Sequence, residues 1–144
     1  MDKVQVVKVL ALQATSFARV ALYDAYRELV DLFPVTLTFN DFAIAQGLPE
    51  KDFFVGNETQ LDHLIGYLRE KFAVPVEVTL VINSPVNVGE NRETPGFIHN
   101  VVCVNLVPGC GDLIDLVKTT GGILVYNENP GRLGKIVKFL RELT

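Results

Sequence analysis

The segment 76-VEVTLVINSPVNVGENRETPGFIHNVVCVNLV-107 decides the fold. Val76, Val78, Leu80 and Ile82 alternate with Glu77, Thr79, Val81 and Asn83, which is the period of a strand. Residues 97–107 read as another strand. The stretch between them, 84–96, holds two prolines and two glycines and shows no helical period. A parallel crossover normally runs through a helix, so the two strands are expected to pair antiparallel. That pairing sets Asn83 opposite His99, Thr79 opposite Cys103 and Glu77 opposite Asn105, a polar stripe on one face.

Outward from this segment the chain alternates strand and helix. Val4 to Leu12 is a strand whose two faces are both apolar apart from Lys8. Phe17, Ala21, Leu22, Ala25, Tyr26, Leu29 and Phe33 follow at helical spacing, and Pro34 stops the helix. Val35, Leu37 and Phe39 form a short strand. Asp41 is expected to cap a helical turn ending at Gly47, and Asn57 to cap a helix through Phe72. Leu113 to Val117 is a short helix, Ile123 to Tyr126 a strand, and Asn129-Pro130 opens a last helix. The order β-α-β-α-β-β-α-β-α predicts a single α/β domain over 1–144. Its architecture is a three-layer α/β/α sandwich on a mostly parallel, mixed five-stranded sheet.

Composition agrees. The chain carries 21 valines and 18 leucines, and valine at that density marks strands buried on both faces. Acidic residues outnumber basic ones 17 to 13, which argues against a nucleic-acid partner. No apolar run is long enough to span a membrane. Cys103 and Cys110 are too few and too close for a secreted disulfide framework, so a reduced, cytoplasmic protein is expected.

In an open α/β sheet, ligands bind beyond the carboxyl ends of the parallel strands, where helix N-termini favour anions. Thr15, Ser16, Asn40, Asp41, Gly109, Gly111, Asn129, Gly131 and Arg132 fall in loops at those ends. Helix capping uses the same residue types, and a glycine-rich connection needs no ligand. Cys110, beside a helix start, is a candidate thiolate, and Glu77 and His99 are candidate acid and base. His63, His99, Cys103 and Cys110 lack the spacing of a metal site. No dinucleotide-binding, phosphate-loop, zinc-protease or nucleophile-elbow string occurs, and no cofactor is indicated.

The leading expectation is a small domain that binds or senses a phosphate- or carboxylate-bearing ligand. The alternative is a protein-interaction subunit or homo-oligomeric module, pairing through the polar face or an exposed strand edge. A third is a thiol- or acid/base-dependent enzyme.

Overall fold

The valine-rich segments pair side by side in the computed structural model, which describes residues 6–16, 19–72, 75–89, 98–104, 107–117, 123–125, 138 and 140–142. The strands are β1 (Val7–Gln13), β2 (Val35–Phe39), β3 (Ile44–Gln46), β4 (Thr59–Gln60), β5 (Val76–Ile82), β6 (Val86–Asn87), β7 (Ile98–Cys103) and β8 (Ile123–Val125). The helices are α1 (Arg19–Leu29), α2 (Leu61–Lys71) and α3 (Cys110–Val117). The main sheet has the order β3-β2-β1-β5-β7-β8 and is parallel except for β3, which runs antiparallel to β2. β4 and β6 form a separate parallel pair.

Alternation on the strands builds two cores. Val9, Ala11, Leu37, Val78, Leu80 and Val101 face Leu61, Leu64 and Leu68 of α2 and Leu113 of α3. Leu10, Leu12, Val81 and Val102 face Leu22, Tyr26 and Leu29 of α1, with Leu140 from the C-terminal segment. The expected three-layer α/β/α class is therefore the observed one.

Four local expectations are corrected. β5 and β7 are parallel, with Thr79 beside Asn100 and Ile82 beside Cys103. The connection between them is long enough for a crossover on chain length alone, and a helix is customary there rather than required. It is held partway by β6, whose Val86 is buried in the core under α2. The mixed character of the sheet comes instead from residues 44–46. They form edge strand β3 where a helical turn was expected. Asn40 sets this hairpin, since its Oδ1 accepts the N–H groups of Phe42 and Ala43. Asn57 does not cap α2. The helix begins at Leu61 behind Gln60, which makes no side-chain cap bond, while the Asn57 Oδ1 accepts a hydrogen bond from Ser16. Finally, Cys103 and Cys110 are joined in a disulfide, with Cα atoms 6.7 Å apart and both residues buried. Parallel pairing carries the Cys103 side chain to the core face that the first residue of α3 also meets.

Candidate functional site

The carboxyl ends of β1 and β5 are joined by side chains of the protein itself. Gln13 ends β1 fully buried. Its Oε1 accepts the backbone N–H groups of Asn83 (2.8 Å) and Ser84 (3.0 Å). Its Nε2 donates to Thr59 Oγ1 (3.1 Å) and to the Pro85 carbonyl (3.3 Å). An amide side chain has two donor hydrogens and an acceptor oxygen, so this one side chain is saturated. Asn83 Nδ2 donates to the Gln13 carbonyl (2.6 Å) and the Tyr26 hydroxyl (2.9 Å), and Tyr26 in turn donates to the Gln13 carbonyl (3.1 Å). Burial pushes the Tyr26 phenol well above its ordinary value of 10.0, against a smaller lowering by the Asn83 contact.

Of the residues expected to hold an anion, Thr15 is committed to this network, while Ser16, Asn40 and Asp41 are bonded to neighbouring loops. Thr15 is buried and donates to Asn83 Oδ1 (3.2 Å). Ser16 is exposed and donates to the Gly56 carbonyl (3.0 Å) and Asn57 Oδ1 (3.3 Å). Asn40 is buried in the hairpin and donates from Nδ2 to the Phe53 carbonyl. Gly109 has φ +88°, and a Cβ there would lie 1.7 Å from the Val86 carbonyl oxygen. The place of its missing side chain is filled by backbone, which leaves no space for a ligand. Gly111 is exposed, and a Cβ there would meet nothing within 4 Å, so it lines open surface in α3. Asn129, Gly131 and Arg132 lie outside the described residues. Ser84 Oγ is buried without a hydrogen-bond partner beside the network.

The candidate acid and base meet at the opposite end of the sheet. The strand register advances by one on β5 and by two on β7 between Val78–Ile98 and Thr79–Asn100, which makes His99 a bulged residue. The bulge brings His99 Nε2 to 3.9 Å from Glu77 Oε1. Asn100 Nδ2 donates to Thr79 Oγ1 (3.2 Å). With Lys8, Phe33 and Glu142 these residues line a cavity of about 240 Å³. The rest of the expected polar stripe is dispersed: Asn83 belongs to the Gln13 network, Cys103 faces the other core, and Asn105 lies outside the described residues. Cys110, as half of the disulfide, presents no thiolate.

A third feature, unread in the sequence, is the rim formed by the β2–β3 turn. Phe42 is 73% exposed there, although its turn is pinned by both Asn40 hydrogen bonds. Its ring lies against Gly56, 3.1 Å from where a Cβ would be. Beside it, Asp41 Oδ1 accepts the Gln60 N–H (3.1 Å) and stands 3.9 Å from His63 Nδ1. A cavity of about 360 Å³ runs from this pair past Phe42 and Ile44 to Tyr67 on α2. The one legible signal is a large aromatic placed inside a polar turn, Asn40-Asp41-Phe42.

No known protein family matches the chain, and no curated protein matches it in sequence. Among solved structures, proximal thread matrix protein 1 from the mussel byssus is similar in fold, with a TM-score of 0.61 and 15% identity. The likeness covers 94% of this chain and 44% of that one, so the chain spans less than half the neighbour's length. It bears on the fold alone. No helix among the described residues is long and apolar enough to cross a membrane.

Proposed function

We propose that the domain is a non-enzymatic interaction module that meets a protein partner through the rim around Phe42. The observation that carries this reading is a contrast at one end of the sheet. The crevice where an α/β domain would take a small anion is occupied by the saturated Gln13 network. On the rim at the same end of the sheet, a large aromatic side chain stands in solvent on a turn whose backbone is fixed by Asn40, with its ring against Gly56. Pre-organised exposed aromatics are what the centres of protein interfaces are made of, because little entropy is lost on covering them. The mussel neighbour is by its name a matrix protein, which fits a structural role and adds no ligand. The Cys103–Cys110 bond favours an oxidising compartment over the cytoplasmic expectation.

The test is a photo-reactive residue at position 42, with one at exposed Glu28 on α1 as control. A discrete adduct at 42 that is absent at 28 is expected; equal labelling at both overturns the reading. A thermal-shift screen with nucleotides, phosphosugars and dicarboxylates runs alongside. Stabilisation by any of them returns the small-anion reading to first place.

A further inference from the structure

The geometry points to a second copy of this chain as a partner, added strand to strand along the edge of β3 that no strand among the described residues covers. This rests on the interaction reading above and names its surface. The backbone bonds from the Asn40 N–H to the Ala43 carbonyl and from the Gly47 N–H to the Thr36 carbonyl fix the alternation of the hairpin. These two bonds put 36/47 and 40/43 at hydrogen-bonded positions of the ladder, and the alternation makes 38/45 another, so Ala45 turns its backbone groups towards β2. Ile44 and Gln46 consequently turn their N–H and C=O groups outward, away from the sheet.

That pattern is self-complementary. An antiparallel second copy sets Ile44 against Gln46 of its partner, and Gln46 against Ile44, each pair exchanging two hydrogen bonds. The two-fold axis then passes beside Ala45, in a pair without hydrogen bonds, where facing Cβ atoms come closest. Alanine suits that spacing. The edge has none of the usual guards other than its shortness: Ala43 to Leu48 contains no charge and no proline. The same alignment carries each exposed Phe42 towards the partner's Gly47–Leu48, and Gly47 has open space over it.

Sedimentation of the intact protein from about 10 µM to 1 mM tests the pairing. Gln46→Pro removes only an outward N–H, a placement that edge strands tolerate, and should melt within about 3 °C of the parent. It should weaken self-association about tenfold or more, since two of the four exchanged bonds are lost. Gln46→Ala, which keeps the backbone, should associate like the parent. Ala45→Cys should form an intermolecular disulfide on mild oxidation, and Ala43→Cys, off the axis, should not. Association of Gln46→Pro as strong as the parent's overturns the inference, as does equal cross-linking at 43 and 45. A parent that stays monomeric while the residue-42 probe still traps a different protein overturns strand pairing alone and leaves the interaction reading standing.

Discussion

Reducing the Cys103–Cys110 disulfide should lower stability by an amount that the chain itself sets. Residues 103 to 110 close a short loop, with a sequence separation of 7. Loop-closure entropy for about eight residues corresponds to roughly 2.5 kcal/mol at 25 °C, all of it exerted on the unfolded chain. The native side should change little. The same loop is held independently by the Val86 N–H to Pro108 carbonyl bond and by the close seat of Gly109 on Val86. Two buried thiols are no burden to an apolar core either, since free cysteine is among the most buried residues. For a chain of this size the unfolding entropy is roughly 300 cal/mol/K, so the melting temperature should fall by about 8 °C. The assay compares calorimetric melts of oxidised protein with protein reduced in denaturant and refolded, free thiols being titrated to completion. A Cys103→Ala/Cys110→Ala variant should be insensitive to reductant. A fully reduced protein melting within about 2 °C of the oxidised one would refute the reasoning. So would loss of native near-ultraviolet dichroism, which would show that the bond holds the fold itself.

Gln13→Leu should cost roughly 2–5 kcal/mol in urea unfolding, because the Asn83 and Ser84 N–H groups lose their buried acceptor. Gly109→Ala, whose Cβ would meet the Val86 carbonyl at 1.7 Å, should lose about 3 kcal/mol or fail to fold. Gly47→Ala, strained by φ +73° but uncrowded, should lose only about 1 kcal/mol, and Gly111→Ala, in the first turn of α3, should be neutral or gain a few tenths. Stability should fall above pH 10 through Tyr26. The unfolded phenol ionises at its ordinary value of 10.0 while the folded one keeps its proton, so the unfolded state binds fewer protons there. Chemical denaturation across pH 9–11.5 should show a downward component of up to about 1.4 kcal/mol per pH unit that Tyr26→Phe removes.

What was legible in the sequence follows the range of the interactions involved. β1, β5 and β7 announce themselves because seven or so consecutive residues must satisfy a buried pleat. α1, α2 and α3 do so because their apolar stripes repeat every three or four positions. β3 is three residues long, with Ile44 and Gln46 on one face and only Ala45 on the other, so no alternation can identify it. It exists through its bonds to β2. The pairing of Cys103 with Cys110 is local in sequence, yet it depends on which face Cys103 takes, and that face is set by the register of β7 on β5. An antiparallel reading put it on the wrong one. Thr15, Asn40, Asp41 and Gly109 do follow the carboxyl ends of parallel strands, as their loops in the sequence imply. What sequence could not show was that, Ser84 Oγ apart, the side-chain hydrogen bonds there are made inside the fold. Gln13 and Thr15 reach partners some 70 positions away, Asn83 and Ser84, while Asn40 and Asp41 bond within their own hairpin and to Phe53 and Gln60.

The choice of glutamine at position 13 explains why the crevice closes. A side chain there faces two inward N–H groups from Asn83 and Ser84 and two acceptors, Thr59 Oγ1 and the Pro85 carbonyl. A carboxylate could accept from the first pair but would set its second oxygen against the Pro85 carbonyl. An apolar residue would orphan both pairs. The amide alone answers each with its complement, and it does so while tying β1 to β4 and to the turn after β5. A small ligand entering here would have to replace four buried hydrogen bonds at once and restore the link between those elements. In the proposed reading, recognition lies further out, on the rim that the network braces: Gln13 holds Thr59, the Gln60 N–H holds Asp41, and Asp41 adjoins the turn that carries Phe42. Loosening Gln13 should then disturb the rim before it exposes any binding crevice.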